Sequence, residues 1–123
     1  MKMSTSLFAV FALLASFALY GEEAAKQVEG TVTAVDPTYG NIDTDIGPER
    51  LVALGIKQGD SLVLAFNGKH FDVYVGAAYS DVPKGDWVAF VTSKTGKLRI
   101  ARNLDNAART LGISKGDSFS LSR

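Results

Sequence analysis

The chain has 123 residues, 46% hydrophobic and 21% charged; this is the composition of one globular domain and excludes a disordered chain or a multi-span membrane protein. It contains no cysteine and one histidine, so we expect no disulfide framework, no thiol nucleophile and no metal site built on thiolates or several histidines. Its thirteen basic and thirteen acidic residues cancel, which argues against a nucleic-acid partner.

Residues 1–21 have the pattern of a secretory signal peptide. Lys2 supplies a positive charge ahead of the apolar run Leu7–Tyr20, which is shorter than the about 20 residues of a membrane-spanning helix. Cleavage after Ala18 or Gly21 would release a protein without a stable membrane anchor, exported to the periplasm or to the medium. An uncleaved anchor and a misannotated start are the alternatives.

After a polar lead at residues 22–27, the hydrophobic pattern alternates with the two-residue period of β-strands. The first predicted strand starts at Val28, places Ala34 on its core-facing side and ends at Asp36-Pro37, because proline cannot donate a ladder hydrogen bond. Further strands are predicted at residues 42–46, 61–66, 69–75, 86–92, 98–101 and 118–121. Short helices are predicted at residues 48–54 and 103–111, the second capped by Asn103.

Asn67-Gly68 is the strongest turn signal in the sequence, since this dipeptide favours the two-residue turn of a β-hairpin. It predicts that the strands on either side pair with each other. Seven short strands with two short helices define the predicted fold class, which is all-β: a small antiparallel β-barrel or sandwich formed by residues 28–123. A barrel is favoured because closure leaves no strand edge exposed.

A motif of the form L-G-I-x-x-G-D-S-apolar occurs at residues 54–62 and again at residues 111–119, with a shorter copy at residues 83–88. Glycine-rich motifs also bind phosphate, but phosphate loops lead into a helix N-terminus, whereas each copy here leads into a strand. The motif therefore predicts repeated corners of the barrel, in which glycine supplies a positive φ and aspartate bonds nearby amides.

Few side chains stand out as chemical candidates. His70 is predicted to face solvent from its strand, and Asp43 and Asp45 are ordinary neighbours on an exposed strand face. Asp36 and Arg102 each continue the core-facing row of a strand, so that a charge stands at the end of each row. Such charges mark either the mouth of a barrel, where a polar ligand binds, or a strand that has already ended in solvent.

Four segments taken together resemble one family: residues 30–46 (GTVTAVDPTYGNIDTDI), 79–86 (YSDVPKGD), 100–108 (IARNLDNAA) and the closing LGISKGD. They are similar to the C-terminal domain of the S-adenosylmethionine (SAM) hydroxide adenosyltransferases, the hydrolase family that also contains the fluorinating and chlorinating enzymes. The resemblance covers nearly all of the chain after the predicted signal peptide. It implies a small β-barrel that supplies the adenosine side of a ligand site, between the α/β domain of one subunit and the barrel of its neighbour in a trimer.

The resemblance also implies a set of ligand-binding residues. They are Asp36 at the amino-acid end of the ligand, Asn41 and Tyr79 at the adenine, Ser93 near the methionine carboxylate, and Arg102 with the backbone of Leu104 at the adenine rim. Asparagine offers a donor and an acceptor, and an aromatic ring stacks on a base, so these residue types suit their roles. Two departures from the family are Arg99, where many members carry glutamate, and a longer turn at residues 93–96.

The family's α/β catalytic domain has no counterpart in these 123 residues. The sequence therefore predicts an exported binding module that does not hydrolyse SAM on its own, with no catalytic residue, no metal and no cofactor. Two alternatives remain: half of a split SAM hydrolase completed by a separate catalytic chain, or a ligand-free barrel used for protein contact. The expected partners are an adenosine-like or SAM-like small molecule, and a homotrimer or a catalytic-domain chain, with no nucleic acid.

Overall fold

The computed structural model describes residues 27–123, so the predicted signal peptide at residues 1–21 and most of the polar lead lie outside the described residues. Within them the strands are β1 (Gln27–Val35), β2 (Ile42–Thr44), β3 (Ser61–Phe66), β4 (Lys69–Val75), β5 (Trp87–Val91), β6 (Leu98–Arg102) and β7 (Ser118–Ser122). Between them lie the short helices α1 (Pro48–Ala53) and α2 (Ala107–Leu111), and a 3-10 turn at Tyr79–Asp81. In this part of the chain no helix is long and apolar enough to cross a membrane.

The strands close into a barrel in the order β1-β2-β6-β5-β4-β3-β7, which confirms the predicted fold class. One pair differs from the antiparallel expectation: β4 and β5 run parallel, through Tyr74↔Val88 and Val75↔Ala89. Parallel neighbours need a crossover, and residues 76–86 provide it by passing over the outside of the barrel. β5 therefore starts at the same end of the barrel as β4.

Apolar side chains from every strand fill the barrel. The most deeply buried include Ile42, Leu62, Leu64, Leu98, Ile100 and Leu121. A second apolar cluster lies on the outer face of β5 and β6, under the crossover, and consists of Val82, Val88, Phe90 and Ala101. β5 is therefore buried on both faces, as its apolar residues of both parities predict. Tyr79, which belongs to the crossover, packs against this outer cluster.

A β-bulge in β1 corrects the predicted strand parity. The pairing with β2 shifts between Val32 and Ala34, where β1 accommodates one extra residue. Beyond the bulge the alternation is reversed, so that Ala34 is exposed and Val35 packs against the core. The prediction that Asp36 continues the core-facing row is therefore wrong, because a one-residue shift moves each later side chain to the opposite face.

The second helix begins after Asn106 and not at Asn103. The side-chain oxygen of Asn106 accepts a hydrogen bond from the Arg109 N–H at 2.8 Å, which makes Asn106 the N-cap. Asn103 belongs instead to a turn in which Leu104 has a φ of 57°, a left-handed conformation that a right-handed helix excludes. The predicted cap is the wrong asparagine, since both have the side chain that a cap requires.

The repeated glycine–aspartate motif forms the same type of corner at three places in the barrel, as predicted. Its glycine has a positive φ in each copy: 100° at Gly59, 93° at Gly116 and 88° at Gly85. Each glycine N–H donates to a carbonyl of an adjacent segment, namely to Val75, Val32 and Asn103 at 2.8, 2.9 and 2.7 Å. A Cβ atom at Gly59 or Gly116 would meet no atom within 4 Å, so backbone conformation alone requires glycine there.

The hairpin at Asn67-Gly68 is confirmed. β3 and β4 pair antiparallel along the full length of β3, and the two turn residues have positive φ values of 52° and 78°. Positive φ at both central positions gives the turn whose twist matches that of the strands. His70 follows this turn and is exposed, as predicted.

Candidate functional site

A cleft of about 760 Å³ opens at one end of the barrel, between the β1–β2 turn and the segment that joins β6 to α2. Its size falls within the range of about 300–1,000 Å³ that is usual for small-molecule sites. Polar and aromatic side chains line it, among them Asp36, Asn41, Tyr79, Arg99, Arg102 and Arg109. Residues from all three thirds of the described chain therefore meet at one surface.

Asp36 organises the β1–β2 turn at the edge of the cleft. Its Oδ1 accepts the backbone N–H groups of Thr38 at 2.7 Å and of Tyr39 at 3.1 Å. The hydrogen bonds from Tyr39 and Thr38 hold the pKa of Asp36 below its ordinary value, and the charges of Arg99 and Lys94 act in the same direction. The carboxylate is therefore ionised at neutral pH, at a position where a cationic group of a ligand can reach it.

Gly40 joins this turn to the start of α2. It has a φ of 73°, and a Cβ atom at this position would collide with the side chain of Asn106. Its carbonyl oxygen accepts the N–H of Ala108 at 3.0 Å. Glycine is thus required here both for the backbone conformation and for the close approach, and the contact fixes one wall of the cleft against the other.

A chain of hydrogen bonds leads into the cleft from Asp43. Asp43 and Arg99 form a two-point ion pair, with Nε–Oδ1 at 2.7 Å and Nη2–Oδ2 at 3.3 Å. The remaining nitrogen of Arg99, Nη1, donates to the hydroxyl oxygen of Tyr79 at 3.1 Å, and Nδ2 of Asn41 donates to the same oxygen at 3.0 Å. The hydrogen bond to Asp43 raises the pKa of Arg99 further above its ordinary value, so this guanidinium stays charged.

Packing holds the Tyr79 ring in place, in addition to the hydrogen bonds on its hydroxyl group. It packs perpendicular to the ring of Phe90, with the ring centroids 5.0 Å apart. Phe90 belongs to the outer apolar cluster, which the crossover covers. Packing on the ring and two donors on its oxygen therefore hold one aromatic side chain in the wall of the cleft.

Arg102 ties together three segments beside the cleft. Its Nε donates to Gly85 O at 2.8 Å, and its Nη1 donates to Thr110 Oγ1 at 2.9 Å. The same Nη1 forms an ion pair with Asp105 at 3.0 Å, and the guanidinium lies 5.5 Å from the centre of the Trp87 ring. Arg102 thus ends β6 with a half-buried cation that is held in place at the edge of the cleft.

Two large apolar side chains stand at the rim of the cleft. Tyr39 is 67% exposed and Leu104 is 77% exposed. The left-handed backbone at Leu104 is uncommon for a branched residue, and it turns the side chain outwards at the edge of the site. The rim therefore offers apolar surface next to a polar interior.

Five of the six ligand-binding residues implied by the resemblance line this cleft: Asp36, Asn41, Tyr79, Arg102 and Leu104. The sixth, Ser93, does not line it; it is exposed in the turn between β5 and β6. The charge of its neighbour Lys94 contributes to the lowered pKa of Asp36, but the strand pairing puts the turn at residues 93–96 at the end of the β5–β6 hairpin away from Arg102.

Sequence reasoning missed the Asp43–Arg99 pair. The strand pattern predicts Asp43 to be an ordinary exposed acid, and Arg99 stands out only as a departure from the family. The two lie directly opposite each other where β2 pairs with β6, although they are 56 positions apart in the chain. The signal for such a pair is the presence of opposite charges on two strands. It predicts a contact only when the two strands are known to be neighbours in the barrel.

His70 lies outside the cleft. It lines a shallower depression of about 320 Å³ beside the Asn67-Gly68 turn. Among the side chains of residues 27–123, no group of three or more His, Cys, Asp or Glu could hold a metal ion.

Comparison with known proteins agrees with the resemblance. A family model for the SAM hydroxide adenosyltransferase C-terminal domain matches residues 30–120. A fluorinase from Actinopolyspora mzabensis is 31% identical over 98 residues, which cover 78% of this chain and 32% of the fluorinase.

Two solved structures share the fold of this chain. An uncharacterized conserved protein from Thermotoga maritima matches with a TM-score of 0.74 and 31% identity, over 80% of this chain and 37% of that one. A conserved hypothetical protein from Thermus thermophilus matches with a TM-score of 0.52 and 25% identity, over 81% of this chain and 36% of that one. This chain spans about a third of the length of these relatives. By the family match along most of its length, the chain belongs to the family of SAM hydroxide adenosyltransferase C-terminal domains.

Proposed function

We propose that the barrel binds the adenosine part of a SAM-like ligand in this cleft. The family is described by the transfer of an adenosyl group, so an adenosine-containing ligand suits a member of it. The observation that carries the proposal is the meeting of Asn41 and Tyr79, 38 positions apart in the chain, at one hydrogen bond in a cleft of suitable volume. An amide and an aromatic ring held together are the side chains with which proteins bind a base.

The proposed roles follow the chemistry of each residue type. Asn41 and Tyr79 meet the adenine, Asp36 meets the ammonium of the amino-acid end, Ser93 approaches its carboxylate, and Arg102 with the Leu104 backbone borders the base. The ionised carboxylate of Asp36 supports its role, since an anion attracts an ammonium group.

The proposal includes export without catalysis. Residues 1–21 have the charge and length of a signal peptide, and their removal would release the barrel to the periplasm or the medium. Hydrolysis of SAM needs a positioned base, and His70, the one histidine of the sequence, lines a different depression. We therefore propose that this chain alone binds an adenosine-like ligand and leaves it intact.

A second candidate function is favoured by the apolar rim. Tyr39 and Leu104 expose 67% and 77% of their surface at the edge of the cleft, where a further protein surface would bury them. A separate catalytic chain, or further copies of this chain in a homotrimer, would complete the site from that side. Under this second proposal, the barrel is one half of a SAM hydrolase.

Calorimetry with adenosine, SAM and methionine tests the proposal. For the wild-type protein we expect adenosine and SAM to bind with a Kd between about 1 μM and 1 mM, since one wall of the site leaves much of the ligand in water. Tyr79→Ala should weaken adenosine binding about tenfold or more, because base stacking on an aromatic ring contributes about 1–3 kcal/mol. His70→Ala is the matched control and should leave the affinity unchanged; equal losses in both variants would refute the proposed site.

A further inference from the structure

We propose that Arg99 is a positioning residue which keeps the hydroxyl hydrogen of Tyr79 available to a ligand, and that it thereby favours 6-aminopurines over 6-oxopurines. The inference rests on the proposed function of the cleft. It adds which groups around Tyr79 donate hydrogen bonds and which group is left to bond a ligand. It depends on three contacts: the ion pair of Arg99 with Asp43, and the donation of Arg99 and Asn41 to Tyr79.

The donors around Tyr79 leave its hydrogen without a partner in the protein. Arg99 Nη1 and Asn41 Nδ2 both donate to the hydroxyl oxygen, at 3.1 and 3.0 Å. Neither a guanidinium nor an amide nitrogen accepts a hydrogen bond, so the Tyr79 hydrogen cannot be given to either of them. Within the described part of the chain no acceptor for this hydrogen is found, and Tyr79 lines the cleft. A ligand acceptor in the cleft is therefore its natural partner.

Asp43 gives Arg99 its direction. The carboxylate takes Nε and Nη2 of the guanidinium, which leaves Nη1 for Tyr79. The side chains of Arg99 and Asp43 are only 17% and 20% exposed, so the pair is fixed by packing as well as by charge. An acceptor at position 99 would have the opposite effect, because it would take the Tyr79 hydrogen and withdraw it from the cleft.

Asn41 completes a directional pair. Because its Nδ2 donates to Tyr79, its Oδ1 remains as an acceptor next to the Tyr79 donor. Adenine presents a matching edge, since its 6-amino group donates and the ring nitrogen beside it accepts. A 6-oxopurine bound in the same orientation presents O6, an acceptor, to the Asn41 oxygen, and two acceptors cannot bond. The pair therefore discriminates between adenine and hypoxanthine.

The test compares the affinity of the full chain for adenosine and for inosine. Wild type should bind adenosine about tenfold more tightly or better, as expected for an unmatched hydrogen-bond pair. The double variant Asp43→Lys with Arg99→Glu keeps an ion pair but places an acceptor beside Tyr79, and its preference should fall to about threefold or less. Arg99→Lys retains a donor at this position and should keep the preference.

Arg50→Gln is the matched control. Arg50 is half-buried like Arg99, but its Nη2 donates to Glu29 O at 2.8 Å, outside the cleft. Its loss removes an arginine without touching Tyr79, so the adenosine preference should not change. A wild type that binds inosine as well as adenosine, or an unchanged preference in the charge-swapped variant, would overturn the inference.

A measurement without ligand separates this inference from the proposed function. Solvent exchange of the Tyr79 hydroxyl proton, read by NMR from 13Cζ-labelled tyrosine, should be fast in the wild type, where the proton faces the cleft. It should slow at least about tenfold in the charge-swapped variant, where a carboxylate accepts it. If neither nucleoside binds the wild type, the proposed function fails, but the exchange rate of the Tyr79 proton still tests whether Arg99 positions it. Slow exchange in the wild type would contradict the proposed role of Arg99.

Discussion

Two constraints require glycine at position 40: a positive φ and the close approach of the Asn106 side chain. Comparison with a glycine that has only the first constraint separates their contributions to stability. At Gly59 only the positive φ of 100° resists a side chain, whereas at Gly40 a side chain would also displace the Asn106 oxygen that caps α2. We expect Gly59→Ala to lower the free energy of unfolding by about 1–2 kcal/mol, through backbone strain alone. Gly40→Ala should cost about 2–4 kcal/mol, because loss of the cap adds to the strain.

Denaturant unfolding of the two variants measures this difference. Gly59→Ala is the control for strain without collision. If Gly40→Ala is no less stable than Gly59→Ala, the close approach between the β1–β2 turn and α2 is not a constraint on the fold.

The carboxylate of Asp36 makes part of the stability depend on pH. Its folded-state pKa is lowered below the ordinary 3.8, chiefly by the hydrogen bonds from the Tyr39 and Thr38 N–H groups. A depressed pKa means that the stabilisation is complete above the unfolded value and is lost as the pH falls through the folded value. Asp36→Asn keeps an acceptor for the turn but cannot titrate.

We therefore expect the stability difference between wild type and Asp36→Asn to be constant above about pH 5 and to narrow as the pH falls below 3.8. Thermal unfolding from pH 6 to pH 2 measures it. A difference that stays the same over this whole range would show that the turn does not stabilise the charged carboxylate.

At the scale of elements, the short helix α2 depends on its cap. A five-residue helix has few internal hydrogen bonds, so the hydrogen bond that the Arg109 N–H donates to Asn106 Oδ1 is a large part of its stability. Asn106→Ala should lower the free energy of unfolding by about 1 kcal/mol, whereas Asn106→Asp keeps the acceptor and should cost less. Chemical denaturation of both variants tests this, and equal losses would exclude the cap as the cause.

Local signals predict the elements of this fold better than their arrangement. The Asn67-Gly68 hairpin and the Gly-Asp corners are predictable because their turns depend on residues that tolerate positive φ. The bulge in β1 leaves no such signal, since Thr33 and Ala34 continue the alternation that the structure interrupts. The α2 cap is ambiguous for another reason, because Asn103 and Asn106 are equally good caps until the turn at Leu104 is seen.

At the scale of the whole molecule, barrel closure creates the cleft. The alternation of β6 correctly predicts that Arg102 continues the row of Leu98 and Ile100. The position of Asp36 follows from the β1–β2 turn and not from strand parity. Asn41 and Tyr79 are indicated by the family resemblance alone. The Asp43–Arg99 pair could not be predicted, because it requires β6 to lie beside β2 although three strands separate them in the chain. Long-range strand pairing is the information that a single sequence lacks. Cleavage of the signal peptide stays a prediction, which the intact mass of the exported protein would test.

The most direct test of the central claim, that the cleft binds the adenosine part of a ligand, is chemical-shift mapping of the protein with adenosine. Because the hydrogen-bond chain and the turn share the cleft, we predict that the largest shifts cluster at Asp36, Asn41, Tyr79 and Arg102. Signals of His70, which lines the other depression, should not move. Shifts centred on His70 and Asp72, or no shifts at about 1 mM adenosine, the weak end of the expected affinity range, would contradict the account.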